Sequence, residues 1–308
     1  MSRIGFYTVY LISFLPLPVL YGFARLLELL FNSVWPYRKN VIQNQIIKAF
    51  PDYTSKQVSQ LVLRYYRHMS ELIVESVKNL SMSKTSLRKR LHIENPEILN
   101  NLYSKGQSVV LVSAHYNNWE WLISALPSLI PHKVLGIGAP LRNSFWNKKL
   151  NTCRSRFGFH VVDSKSYKHY LQNCTSPCAV LMLSDQSPSN PDKAYWMRFL
   201  NQSTAIAFGP ELISLEYSFV PVYAHINKIK RGYYSIKLIS FNQNSVQPHY
   251  GDISAWHAGI LQQGIIQNPQ YWLWSHRRWK HKAPESITEW HLQQTEQFKK
   301  RFGRQKLD

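Results

Sequence analysis

The chain of 308 residues is poor in cysteine and poor in acidic residues, and it contains no internal repeat or low-complexity tract. Its three cysteines, Cys153, Cys174 and Cys178, are too few and too odd in number for a disulfide framework, which suits a reducing compartment. Cys174-x-x-x-Cys178 has no second pair at metal-ligand spacing, so no metal site is expected. Asp and Glu total 17 against 37 Lys and Arg, for a formal net charge of +20. That imbalance points to a polyanionic partner: nucleic acid, anionic lipid, a phosphorylated substrate or an acidic protein. A Gly-x-Ser-x-Gly nucleophile elbow is absent, so the sequence offers no serine acyl-enzyme of that type. No small-x-small cleavage site leads into a polar region after the apolar N-terminus, which argues against a cleaved signal peptide.

What is present begins with that N-terminus. Ile4 to Ala24 carries no charge and is bracketed by Arg3 and Arg25, close to the roughly 20 residues a helix needs to span a bilayer. Pro16 and Pro18 interrupt a simple helix, because each lacks an N–H and clashes with the preceding turn. A single span, a re-entrant hairpin, an interfacial helix and a buried soluble helix all satisfy this pattern. Trp35, Tyr37, Arg38 and Lys39 follow, an aromatic and basic set of the kind that anchors a chain at the cytoplasmic interface. We therefore expect residues 1–36 to form a membrane anchor or interfacial segment and residues 37–308 to form the remaining domain.

Thr54-x-x-Gln57 reads as a capping box. Apolar residues then recur at helical spacing to Leu80, predicting a long helix with one face on the core. Beyond residue 90, strand-like and helix-like runs alternate. The strands are expected at Val109–Ser113, Val134–Gly138, His160–Val162, Ala179–Leu183, Val220–Ile226, Tyr234–Phe241 and Tyr271–Ser275. Helices are expected at Asn118–Leu129, Ser144–Arg156, Ala205–Tyr217 and Ser254–Gln267. The fold class is therefore α/β, with a mainly parallel central sheet flanked by helices and an apolar N-terminal membrane-associating helix. The polar tail from Glu285 reads as a surface helix or a frayed end.

In open α/β sheets, ligands bind beyond the carboxyl ends of the strands. There the first expected strand delivers His115 and, a turn later, Glu120. A histidine at a strand end with a nearby carboxylate is a general base with an orienting partner. The plainer reading is a helix cap, with Asn117 capping and Glu120 reaching back to it. The second strand leads to Arg142, the fourth to Asp185 and Gln186, and the last to His276, Arg277 and Arg278. Each has an ordinary surface explanation, yet all fall on one rim.

Taken in order, these residues resemble the bacterial lipid A biosynthesis (late, or secondary) acyltransferase family, within the lysophospholipid acyltransferase superfamily. The resemblance covers nearly the whole chain. It runs through Tyr37-Arg38-Lys39, Ala49-Phe50-Pro51, Tyr66-Arg67-His68, Glu75, His115-x-x-x-x-Glu120, Arg142 to Lys149 and Asp185-Gln186, and closes with Trp272-Leu-Trp-Ser-His276-Arg277-Arg278-Trp279-Lys280. It implies transfer of a fatty acyl group from an acyl carrier thioester, on a carrier protein or coenzyme A, to a hydroxyl of a phosphorylated lipid A precursor. His115 would be the general base and Glu120 its orienting carboxylate, with no acyl-enzyme, no cofactor beyond the donor thioester and no nucleic-acid partner. Arg142, Arg277 and Arg278 would clamp phosphate, with Arg142 and the helix amides near Asn118 as alternative oxyanion donors. Asp185 and Gln186 would shape the site or contact substrate, and His276 would be a hydrogen-bonding scaffold. The implied location is the cytoplasmic face of the bacterial inner membrane.

One departure is Phe199-Leu200-Asn201-Gln202, where many family members carry a Phe-Phe-Gly-like turn. Asn tolerates the left-handed backbone that Gly allows, so the turn is expected to persist. Two alternatives stand beside the main reading. One is acylation of another lysophospholipid, aminolipid or glycolipid, although no Glu-Gly-Thr-Arg-like motif of glycerol acyltransferases is found. The other is a basic nucleic-acid-binding protein, which the apolar N-terminus does not fit.

Overall fold

The all-buried run Val109–Ser113 lies at the centre of a seven-stranded sheet. The structure, a computed structural model, describes residues 3–138, 143–164, 166–242 and 249–303. Its strands are β1 (Leu91–Ile93), β2 (Val109–Ser113), β3 (Lys133–Gly138), β4 (His160–Asp163), β5 (Cys178–Leu183), β6 (Tyr195–Phe199), β7 (Gln202–Ile206), β8 (Val220–Lys230) and β9 (Tyr233–Ser240). The large sheet has the order β1-β9-β8-β2-β5-β3-β4, and β6 with β7 forms a separate hairpin. Every pairing in the large sheet is parallel except the β8–β9 hairpin. The expected α/β class with a mainly parallel sheet is what the chain adopts.

Alternation along β2 shows why both faces are covered. Val110 and Val112 join one apolar cluster, while Val109 and Leu111 join the other. A strand buried on both sides needs apolar residues at successive positions. The first cluster includes α3 (Lys39–Ala49) through Ile42 and Ile46 and the Asp252–Gln267 helix through Leu261 and Ile265. The second includes α2 (Leu17–Leu29) through Leu17 and Leu20 and the Trp119–Ala125 helix through Trp121 and Leu122. The long helix α4 (Ser55–Asn79) contributes to both, with Leu61 on one side and Val74 on the other. Thr54 and Gln57 close the expected capping box at its start.

The apolar N-terminus is two helices rather than one continuous run. α1 (Arg3–Ile12) ends before Pro16, α2 starts after it, and a π-helical turn follows at Leu30–Val34. The break is docked on the end of α4, where Lys78 Nζ donates to the carbonyls of Ser13 and Leu15, each at 3.0 Å. α2 buries Leu17, Leu20 and Ala24 against the protein and leaves Val19, Phe23, Leu26 and Leu30 exposed. The stretch Leu17–Val34 is long and apolar enough to cross a membrane.

Two expectations need correction. Tyr271–Ser275 is not a strand: after the short 3₁₀ turn Pro269–Tyr271 it crosses the sheet's carboxyl end, bridged at Tyr116–Trp272. It is held by side chains instead, with Trp274 Nε1 donating to the Pro269 carbonyl and Ser275 N–H to Tyr65 Oη. The helix expected from Ala205 begins at Gly209, because Gln202–Ile206 pairs with β6. The strands β1 and β6 were also not anticipated; β1, at three residues, is too short to show a period. The Phe199–Gln202 turn does persist, with Leu200 and Asn201 both left-handed at φ 47° and 61°. Leu200 N–H is tied to Gln262 Oε1 at 2.7 Å and Asn201 Nδ2 to the Ala49 carbonyl at 3.1 Å, bonds that support this rare backbone for a leucine. The tail forms a surface helix, Ile287–Phe302, capped by Ser286.

Candidate active site

Parallel register alone brings the two central residues together. β2 and β5 pair with Ser113 opposite Leu183, and His115 and Asp185 each lie two residues further along. His115 donates its backbone N–H to Asp185 Oδ1 at 2.9 Å, and its Nδ1 lies 2.8 Å from the same oxygen. Asp185 Oδ2 accepts from Trp272 Nε1 at 2.9 Å. The carboxylate is sealed, with its side chain 2% exposed, whereas the imidazole is 18% exposed. Burial pushes the Asp185 carboxyl up, but the facing His115 and the hydrogen bonds from His115 and Trp272 outweigh it and bring it to about 2. An ionised Asp185 accepts a hydrogen bond from Nδ1–H, which puts the imidazole lone pair on Nε2. Gln186 Nε2 lies 3.2 Å from that atom, and the Trp119 ring meets the imidazole edge-on.

Glu120 is differently placed. Its carboxylate grips Arg154, at 3.2 Å from Nε and 2.6 Å from Nη2. The hydrogen-bond partners of the His115 ring are Asp185 and Gln186, so the carboxylate on the imidazole is Asp185 and not Glu120. The cap differs too. Asn118, not Asn117, caps the following helix by accepting from Trp121 N–H at 2.9 Å, while Asn117 sits in the left-handed region at φ 54°.

The loop is anchored from beneath by Glu75, which is fully buried. Its carboxylate accepts from Asn118 Nδ2 at 2.6 Å, Tyr234 Oη at 2.7 Å and Tyr21 Oη at 2.7 Å. Burial pushes this carboxyl up, and neutral donors only partly oppose that. Opposite, Gln45 of α3 holds the closing basic block through its backbone: Gln45 Nε2 donates to the carbonyls of Trp274 and His276, and its Oε1 accepts from Arg278 N–H.

Of the remaining expected residues, His276 joins the site, with Nε2 accepting the Ser187 N–H at 3.3 Å. Burial pushes the His276 imidazole down, which favours this neutral acceptor form. Arg278 is buried and spends its Nη2 on the Ala205 carbonyl at 2.6 Å. Burial pushes its guanidinium down to about 10. Arg277 is exposed. Arg142 lies outside the described residues. Sequence reasoning missed Arg154, which sits in a helix among other basic residues with nothing local to mark it, and Gln45, whose partners lie over 200 residues away.

Beside the imidazole is an apolar cavity of about 330 Å³. Tyr65, Met69, Leu72, Trp119, Trp272 and Leu273 are among its lining residues. Trp119 and Trp272, the rings that touch His115 and Asp185, form part of this lining, so the cavity and the pair are separated by one layer of side chains.

The molecule is thus an α/β protein with a carboxylate-paired histidine at the carboxyl rim of its sheet, next to a slot suited to hydrocarbon. Residues 2–281 match the model of the family described as bacterial lipid A biosynthesis acyltransferase, and the chain belongs to that family. Family membership makes it an acyltransferase that works with an acyl donor and a lipid acceptor in a membrane setting. No curated protein matches the chain.

Proposed function

We propose that this protein moves a fatty acyl group from an acyl carrier thioester to a hydroxyl of a lipid A precursor at the cytoplasmic face of the inner membrane, as a late-stage acyltransferase. The observation that carries the reading is the His115–Asp185 pair, whose neighbouring rings Trp119 and Trp272 also line the apolar cavity. His115 Nε2 accepts the proton of the acceptor hydroxyl as that oxygen attacks the thioester carbonyl. Asp185 holds the imidazole in the working tautomer and stabilises the imidazolium. Collapse of the tetrahedral intermediate expels the thiolate, which recovers the proton from His115, leaving an ester and a free thiol. The acyl or acceptor chain occupies the cavity between α4 and the Tyr271–Ser275 segment.

Glu120 enters this scheme through Arg154, which it holds beside the loop, rather than as the partner of the imidazole. A net charge of +20 suits an anionic donor, whether an acidic carrier protein or the phosphates of coenzyme A, and suits a phosphorylated acceptor. The test crosses the purified protein with acyl carrier protein and coenzyme A thioesters of several lengths and a lipid A precursor, with product mass read directly. Ester formation on the precursor, lost in His115→Ala, is the expected result. Acylation confined to glycerophospholipid acceptors would sink the lipid A assignment.

A further inference from the structure

A second cavity, of about 250 Å³, lies on the neighbouring side of α4 where it meets α2. Its charged lining is Arg25 and Glu28 from α2, Arg67 and Glu71 from α4, and Arg231 from the β8–β9 turn. The two carboxylates lie deep, with side chains 16% and 7% exposed, whereas all three arginine side chains are more than half exposed. Glu28 meets Arg25 Nη1 at 3.0 Å and Arg67 Nε at 3.7 Å. Glu71 meets Arg231 Nε at 2.7 Å and also Lys228 Nζ at 2.6 Å. Four cations around two carboxylates leave an excess of two positive charges. In each described ion pair the guanidinium uses one nitrogen out of a fork of five N–H donors, so donor capacity remains at the rim. The floor carboxylates act as clamps that hold the forks in place.

Position along α2 says what kind of ligand reaches this pocket. Tyr21, Arg25 and Glu28 form one stripe at helical spacing, and Val19, Phe23, Leu26 and Leu30 form the adjacent exposed apolar stripe. The cationic mouth therefore borders the exposed apolar stripe of α2, the surface best suited to lipid. On α4, Arg67 and Glu71 are followed directly by His68 and Leu72, which line the apolar cavity beside His115. The guanidinium in the closing basic block that is sealed, Arg278, has no such access.

We propose that the Arg25–Arg67–Arg231 pocket binds the phosphoryl group of a membrane-borne amphiphile. The inference deepens the acyltransferase reading and rests on it for the identity of the amphiphile, either the phosphorylated acceptor itself or an anionic lipid of the surrounding bilayer. Two arms of one experiment separate these sources, using Arg67→Gln, Arg231→Gln and their combination. Arg88→Gln, an exposed charge elsewhere, controls for the general loss of positive charge. In the kinetic arm, KM is measured for a lipid A precursor with and without its phosphates. In the binding arm, the same substitutions in a His115→Ala background are tested for co-sedimentation with phosphatidylcholine vesicles with and without phosphatidate. If the acceptor phosphate is the occupant, KM for the phosphorylated precursor rises about tenfold for each guanidinium lost, and the dephosphorylated precursor is unaffected. If the occupant is a bilayer headgroup, affinity for phosphatidate vesicles falls by a similar factor while KM holds. Variants that match Arg88→Gln in both arms overturn the site. Failure of the acyltransferase reading would show separately, as a wild-type protein that turns over no acceptor while the vesicle arm still reports on the pocket.

Discussion

Asp185 and Glu120 are carboxylates delivered to the same rim, one following β5 and one following β2, yet they do different work. Asp185 is sealed from solvent and faces an imidazole, a partner that can gain or lose a proton. Glu120 is partly exposed, with its side chain 21% accessible, and faces a guanidinium that stays charged throughout. A buried carboxylate opposite a titratable ring responds to that ring's charge, since its interaction strengthens when the imidazole is protonated. A carboxylate bound to a permanent cation positions that cation. Glu75 marks a third case: fully buried but caged by two hydroxyls and an amide, it holds the loop in place without a cation bonded to it.

The contrast ranks the substitutions. His115→Ala is expected to reduce acyl transfer by about 10²–10⁴-fold, the range for a positioned base. Turnover near the wild-type rate would remove His115 from the chemistry. Asp185→Asn keeps the volume but removes the charge that selects the tautomer, and a loss of about 10²–10³-fold in kcat with a modest change in KM is expected. Glu120→Gln should cost less, about tenfold, through a loosened Arg154. If the order of these two is reversed in a side-by-side kcat measurement, Glu120 regains the orienting role that the sequence motif suggests.

The smallest effect concerns stability, and it sharpens the same contrast with a carboxyl of opposite shift. Burial pushes the Glu211 carboxyl from 4.5 up to about 7, against the hydrogen bonds it accepts from Gly251 and Ser254. Its folded form therefore holds a proton that the unfolded chain releases. The stability this contributes is complete below about 4.5 and is lost as pH rises through about 7. Asp185 runs the other way: its contribution is present above the usual 3.8 and lost as pH falls towards about 2. In urea titrations between about pH 5 and pH 8, Glu211→Gln should flatten the wild-type decline by on the order of 1–3 kcal/mol. An unchanged slope in that variant would assign the decline to other groups.

The legible parts of this protein were those written in local periodicity. The Thr54 capping box, the α4 stripe and the buried runs of β2 and β5 each follow from residues within one element. The Tyr271–Ser275 segment misled because two tryptophans and a tyrosine look like strand residues, while in the fold their N–H and ring contacts are made to Asp185, Pro269 and His68. The hairpin strand Gln202–Ile206 misled for the opposite reason, since a short apolar run ahead of a helix merges with it in the sequence.

His115 and its place on the carboxyl rim were determined by the sequence, because an apolar strand that ends in a polar turn needs no distant partner to be recognised. The identity of its carboxylate was not. Glu120 is near His115 along the chain, but Asp185, 70 residues away, is the one in contact, because parallel pairing of β2 with β5 sets two strand ends side by side. Sequence distance orders residues along one helix or strand. Register between strands decides which side chains meet, and only the folded sheet supplies that.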